Sequence, residues 1–294
     1  MLEELVGVIA PFTTHFREDG SIDFSAVKPQ IDWLIEEGAH GVAAGGSTGE
    51  GHVLDRGEYQ ELIHATVDAA AGRVPVVAGI IANSTQEVAA RGDLVKNLGV
   101  VALQVTPPSY LFRPDDDAMV RHFREIHDAS GMPILIYNVV QHCYLSPDLL
   151  LRIMDEVPGV AGVKQSAGDM RLFADLQRRA KPANRIYSAV DALLYPSYQL
   201  GAVGSIAAIL STAPRASRQL WDAAQAGDHE TARDLHEKLM PVWDAVGVDN
   251  MPSLVKYAQS LQGVPTGLAR RPTSPASEAQ KAQVRAALKP LGIG

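Results

Sequence analysis

Cysteine is almost missing from this chain: Cys143 is the only one in 294 residues. No internal disulfide can form, so a reducing compartment, the cytoplasm, is the expected location. An excess of positive charge is missing too. Twenty-six Lys and Arg stand against 34 Asp and Glu, for a net charge of -8. Such a balance lacks the basic face that non-specific nucleic-acid binding draws on, while leaving room for one local positive pocket. No apolar run approaches the roughly 18 residues of a membrane span. Met1 to Val8 carries Glu3 and Glu4 and shows no basic region followed by an apolar stretch, so no signal peptide is read there. The nine histidines are scattered, with His64, His122 and His127 on helical stretches, and no metal-ligand spacing appears. The expected partners therefore exclude nucleic acid and membrane, and no metal is expected.

What is present is rhythm. Short apolar runs alternate with longer helical patterns: Val6–Phe12, Gly41–Gly46, Val74–Ile80, Ala102–Pro107, Pro133–Asn138, Val160–Ser166, Ile186–Val190 and Val203–Ala208. The runs are continuously apolar, as parallel strands buried on both faces require. Between them lie helical signals. Phe24–Glu37 has apolar residues at helical spacing and stops at Gly38; Ser84-Thr85-Gln86-Glu87 reads as a capping box; Ser146-Pro147 reads as an N-cap followed by proline at the first helical position. Eight strand–helix units with short connections predict an α/β fold, a closed (β/α)8 TIM barrel. After about Ala213 the strand signal ends. Arg215–Ala226, Glu230–Val246, Pro252–Gln262 and Ser277–Leu288 look helical, and Gly263–Ala276 reads as a loop. The expected organisation is a catalytic barrel over 1–214 and a C-terminal helical region over 215–294.

Seven of the eight lysines fall in helical or loop patterns, where a solvated ammonium is expected. Lys164 instead sits in Val160-Ala161-Gly162-Val163-Lys164-Gln165-Ser166, near the C-terminal end of the sixth strand, where barrel enzymes gather their catalytic groups. Burial disfavours the charged form of an amine, and a neutral amine adds to carbonyls to give a Schiff base. The competing reading is a barrel lysine paired to an acid. Tyr137 ends the fifth strand one position around the barrel, where its hydroxyl could shuttle protons or simply bond to backbone. The second strand runs into Gly45-Gly46-Ser47-Thr48-Gly49-Glu50, whose successive amides could cradle a small carboxylate or which is simply an ordinary glycine-rich βα loop. That loop lacks the Gly-Lys-Ser/Thr ending of a Walker A motif and the glycine spacing of a dinucleotide fold.

Together these segments resemble the dihydrodipicolinate synthase / N-acetylneuraminate lyase family of class I, Schiff-base aldolases. The resemblance is carried by Gly46-Ser47-Thr48-Gly49-Glu50, Tyr137-Asn138-Val139, Gly162-Val163-Lys164-Gln165-Ser166 with Gly168-Asp169, and Gly201-Ala202-Val203-Gly204-Ser205-Ile206. It implies that Lys164 forms the Schiff base with pyruvate or another 2-oxo acid. It further implies that Tyr137 and Ser47 relay protons, that Gly46, Ser47 and Thr48 bind the substrate carboxylate, and that Ile206 lines the pocket through its backbone. No metal or organic cofactor is implied. Homo-oligomers are, in this family tetramers built from tight dimers.

The pattern also breaks. Where dihydrodipicolinate synthases carry Thr-Pro and paired tyrosines, one of which completes the relay across a dimer interface, this chain has Thr106-Pro107-Pro108-Ser109-Tyr110. Tyr110 is displaced by at least one position. Where the family carries an arginine for the aldehyde substrate's carboxylate, the segment reads Val140-Gln141-His142-Cys143-Tyr144. An imidazole does not replace a bidentate guanidinium, so His142 and Gln141 point to a less anionic, hydroxylated or aromatic second substrate; the equal alternative is that His142 is a rim residue with no substrate contact. The expected activity is making or breaking a C–C bond between a 2-oxo acid and an aldehyde. A Schiff-base dehydratase of a sugar-derived 2-oxo acid and a non-catalytic 2-oxo-acid sensor are the alternatives, and a metal-dependent barrel enzyme lacks its ligand cluster.

Overall fold

The apolar runs become eight short parallel strands: β1 (Gly7–Pro11), β2 (Gly41–Ala44), β3 (Val76–Ile80), β4 (Ala102–Val105), β5 (Ile134–Asn138), β6 (Val160–Gln165), β7 (Arg185–Ser188) and β8 (Gly204–Ser205). A computed structural model describes residues 2–294. In it each strand pairs with the next and β8 pairs with β1, closing the barrel.

Side chains alternate across the sheet, and both faces are dry. Ile9, Ala43, Val77, Ala102, Leu135, Tyr187 and Ile206 point inward and, with Leu5, fill the lower barrel. Val8, Val42, Ala78, Leu103, Ile136 and Val163 point outward into the layer of helices. The Tyr187 hydroxyl donates to the Leu5 carbonyl at 2.7 Å, which plugs the floor. This parity matters for function. Leu135 faces in, so Tyr137 two residues on does too; Val163 faces out, so Lys164 faces in. The register pairs Tyr137 with Lys164. A slip of one residue would turn that lysine into the helix layer.

Helices α1 (Val27–Glu36), α2 (Arg56–Ala70), α3 (Thr85–Val95), α4 (Asp116–Ser130), α5 (Pro147–Glu156), α6 (Met170–Arg179), α7 (Leu194–Gln199), α8 (Ile209–Thr212) and α9 (Pro214–Ala226) surround the sheet. Beyond them come α10 (His229–Val246), α11 (Met251–Ser260) and α12 (Glu278–Leu288). Helix α9 contacts β1, α7 and α8, while α10 lies on α9 and α11 on α8. The four C-terminal helices fall close to their expected bounds. Ser146 caps α5 with Pro147 in its first turn, as expected. Among the described residues no helix is long and apolar enough to cross a membrane.

Three expectations change. Phe24–Glu37 begins as a 3-10 turn over Phe24–Ala26, with Asp23 as its cap, before α1 starts. Ser84 caps α3 by accepting from the Glu87 amide, but the Glu87 carboxylate does not return to complete a box. It is drawn instead to the guanidinium groups of Arg56 and Arg91, which hold it down to about 2, because two charge-assisted bonds outweigh one to a neutral amide. Lastly, Lys256 is not solvated. It is 2% exposed and its ammonium lies 2.6 Å from Glu50 Oε2.

Candidate active site

Lys164 is 5% exposed. Among the described residues no carboxylate lies in ion-pair range of its ammonium and no hydrogen-bond partner meets it. Its nitrogen stands 3.7 Å from the centre of the Tyr137 ring. The π-face offers a cation partial compensation only, and a buried amine without a counter-ion is expensive to retain. Lys256, the other deeply buried lysine, lies on α11 and has its carboxylate, whereas the strand lysine Lys164 has none in ion-pair range, against the reading of a barrel lysine paired to an acid.

Tyr137 lies below that nitrogen, and its hydroxyl donates to Ser47 Oγ at 3.0 Å. Ser47 belongs to the turn that follows β2. The turn is closed by the Glu50 amide donating to the Ser47 carbonyl and the Gly51 amide to the Gly46 carbonyl, each at 3.0 Å. Thr14 Oγ1 clamps it from the β1 side by donating to the Gly49 carbonyl at 2.6 Å. The backbone amides of Ser47 and Thr48 donate to no acceptor among the described residues. Two unused N–H groups in a closed, largely buried turn are the arrangement an anion-binding nest requires. Glycine is required beside it: a Cβ on Gly79 would come within 2.7 Å of the Gly46 nitrogen.

The residues after Tyr137 and Lys164 lock the two strand ends together. Asn138 Nδ2 donates to Gln165 Oε1 and to the Leu145 carbonyl, each at 3.1 Å, and the Leu145 amide returns to Asn138 Oδ1 at 2.9 Å. The Ala167 amide donates to the same Gln165 oxygen at 3.0 Å. Both partners are buried, and a fully satisfied network of this kind fixes rotamers. It holds the phenol and the amine at their separation.

Sequence reasoning did not single out Asp191, which follows the end of β7. Its Oδ1 accepts from the Ile209 amide at 2.7 Å, at the start of α8. Burial pushes its carboxyl up to about 6, opposed by that amide and by the nearby Lys164 cation. A lone Asp at the C-terminal end of a barrel strand was the available signal. β8 stops at Ser205 instead of running to Ala208, and the chain turns into α8 at Ile209, the residue whose amide Asp191 accepts. Ile206 is fully buried, and its amide donates to the Ser188 carbonyl at 2.9 Å.

His142 and Tyr110 are not brought to this cluster. His142 is exposed on the 3-10 turn Gln141–Cys143 and donates from Nε2 to the Ser109 carbonyl at 2.6 Å. Beside it the buried Cys143 thiol bonds the Pro108 carbonyl at 3.2 Å. The two loops are thus stitched together at the barrel rim. Tyr110 follows Ser109 and is 80% exposed, in a row with exposed Leu111 and Phe112. Among the described residues no cluster of three or more His, Cys, Asp or Glu converges to hold a metal. A cleft of about 910 Å³ lies elsewhere, against α11 and the 264–276 loop. Lys164, Tyr137, Ser47 and the free amides converge instead at the C-terminal ends of the strands, which makes that end the candidate site.

The pattern of the Dihydrodipicolinate synthetase family matches residues 4–291. A 4-hydroxy-tetrahydrodipicolinate synthase of Ralstonia nicotianae is 35% identical over 295 residues, covering 99% of both chains. One from Thiobacillus denitrificans is 36% identical over 287 residues, covering 96% of both. Among solved structures, a prophage protein of E. coli K12 from the dihydrodipicolinic acid synthase family, in complex with pyruvate, superposes with a TM-score of 0.94 at 26% identity, covering 99% of both chains. Dihydrodipicolinate synthase from Aquifex aeolicus gives 0.92 at 27% identity, covering 98% of this chain and 99% of that one.

Proposed function

This chain belongs to the dihydrodipicolinate synthetase family of lyases, and from that premise we propose that Lys164 condenses with pyruvate or a similar 2-oxo acid. The observation that carries the reading is a buried amine with no carboxylate in ion-pair range among the described residues, set over a tyrosine whose hydroxyl is bonded to Ser47. The amine adds to the C2 carbonyl, and the carbinolamine expels water to leave an iminium. The carboxylate of the 2-oxo acid meets the free amides of Ser47 and Thr48, with Gly46 giving the backbone its close approach. Tyr137 passes protons to and from the carbinolamine oxygen, with Ser47 as the next member of the relay. Asp191, ionised above about pH 6, balances the iminium charge. Loss of a C3 proton gives an enamine, which adds to an aldehyde carbonyl to form the C–C bond and regenerate an iminium; the aldehyde oxygen takes up a proton, and water hydrolyses the iminium to release product and free Lys164. The reverse sequence breaks a C–C bond. Ile206 closes the pocket from β8. Residues 1–214 supply this chemistry, and 215–294 form the helical region against it.

The rim argues for a second substrate less anionic than a carboxylated aldehyde, because His142 is occupied by a carbonyl where a guanidinium would reach out. A dehydratase acting on a sugar-derived 2-oxo acid would use the same lysine and expel a hydroxyl from the enamine. Tyr110, Leu111 and Phe112 leave a single chain with an apolar row beside its site, which supports a homo-oligomer, dimer or tetramer, in which this row meets a second copy.

Incubation with pyruvate and borohydride, followed by peptide mapping, tests the reading. An adduct at Lys164 that disappears in Lys164→Ala is expected. A protein left unmodified, or modified at another lysine, would overturn it. A turnover screen over aldehydes and sugar acids then separates aldolase, dehydratase and sensor.

A further inference from the structure

The helical region reaches back to the candidate site at Glu50, and it does so with charge. Lys256 comes from α11 and is separated from Glu50 by 206 positions of chain, yet its ammonium lies 2.6 Å from Glu50 Oε2, with the two side chains 3% and 1% exposed. The same ammonium donates to the Leu268 carbonyl at 2.7 Å. The other Glu50 oxygen accepts from the Arg270 amide at 2.8 Å. The Arg270 guanidinium, 4.3 Å from the centre of the Phe16 ring, bonds the carbonyls of Gly20 and Val53 and the Glu58 carboxylate.

Glu50 is an unusual residue for its place. Its backbone is left-handed, with φ 55° and ψ 32°, a region where glycine or asparagine sits at lower cost. A buried ion pair is also a weak source of stability, since apolar residues of similar size often serve as well. Both costs fall on the residue whose amide closes the Ser47–Thr48 turn. We infer that Lys256 and Arg270 are positioning residues, which act through Glu50 to hold that turn in the shape that receives the substrate carboxylate. The inference rests on the turn's assignment in the reading above.

The geometry explains the choice of charge. Glu50 must fix its backbone against a left-handed strain, and both carboxylate oxygens are used to do so. Lys256 meets one and the Arg270 backbone meets the other, while the Arg270 side chain anchors the segment that follows through Val53. Carboxylate recognition in the barrel thus depends on two residues that lie outside it.

The test compares pyruvate with pyruvamide, which keeps the ketone and lacks the carboxylate. Wild type, Lys256→Met and the neutral double variant Lys256→Met/Glu50→Gln are titrated with each and trapped with borohydride. In the double variant the half-saturating pyruvate concentration is expected to rise about tenfold or more, while that for pyruvamide stays close to wild type. Trapping at saturation persists, since Lys164 is untouched. A general loosening of the fold would weaken both ketones alike. Unchanged pyruvate preference, or an equal loss for both ketones, overturns the inference and leaves the Lys164 reading standing. Absence of a Lys164 adduct in wild type would overturn both. Should the double variant not fold, Glu50→Gln alone, which is isosteric, is judged by the same loss of preference.

Discussion

Removing one oxygen atom from Tyr137 separates chemistry from packing. In Tyr137→Phe the ring keeps its place 3.7 Å beneath the Lys164 nitrogen and its burial in the barrel. What is lost is the hydroxyl and its 3.0 Å bond to Ser47. A neutral hydrogen bond contributes about 0.5–1.5 kcal/mol net, and Ser47 is only partly covered, so water can take up its hydroxyl. The stability loss should stay near 1 kcal/mol, a shift of roughly 2–4 °C in melting temperature. The kinetic loss should be far larger. A positioned acid–base group contributes about a hundred- to ten-thousandfold, or about 3–5 kcal/mol of barrier. The assay pairs turnover with borohydride trapping at saturating pyruvate. Turnover should fall by two orders of magnitude or more, while Lys164 is still modified to near completion on longer incubation, because an amine adds to a ketone without the phenol. Turnover close to that of wild type would remove Tyr137 from the relay. A melting temperature that collapsed along with activity would show that the phenol braces the barrel instead.

Other perturbations read other parts of the site. Asp191→Asn should abolish an acidic limb near pH 6 in kcat/KM, since below about 6 the wild-type carboxyl is protonated and no longer balances the iminium; an unshifted limb would clear Asp191 of that role. Its effect on stability has the opposite sense. The folded carboxyl binds its proton more tightly than the unfolded one, so wild type loses stability relative to the Asp191→Asn variant as pH rises from about 4 through 6, which melting curves across that range would detect. His15 and His122 are each held down to about 4, chiefly by burial. The unfolded chain therefore takes up protons below about 6.5 that the folded chain refuses, and the melting temperature should fall as pH drops from 6.5 towards 4. A flat profile would place both imidazoles in water. Gly79→Ala should cripple activity and stability together, because its Cβ would lie 2.7 Å from the Gly46 nitrogen; a wild-type melting curve would deny that the turn is so tightly backed. Phe112→Asp should lower the assembly state in sedimentation if the exposed row at the rim joins two copies.

What can be read along the chain is whatever repeats or stands out locally. The strands are legible because parallel strands dry on both faces are continuously apolar, and Lys164 is legible because it breaks such a run. Its inward direction also follows, since parity along β6 is a local property. Tyr137 and the Ser47–Thr48 turn are legible for the same reason, lying at the ends of clear strands. Tyr110 is not, because a loop beyond a strand end has no period to fix where its side chains go. Lys256 is misjudged for a different reason. Its place on a helix is correct, but helical periodicity says only which residues share a face. Leu254, Val255, Ala258 and Gln259 are buried with it, so a lysine bordering that stripe could as easily snorkel as be enclosed. The deciding fact is the position of Glu50, 206 residues away, and a single sequence carries no local trace of such a pairing. Asp191 is an intermediate case. Its place after β7 is local information, but its meaning comes from the Ile209 amide it accepts and from Lys164 across the barrel. In this fold, therefore, the groups proposed to touch substrate lie on the strands or just beyond their ends, where reading outward from a strand finds them. The groups that hold them in place are joined across the chain, and only the closed barrel with its helical region brings those partners together.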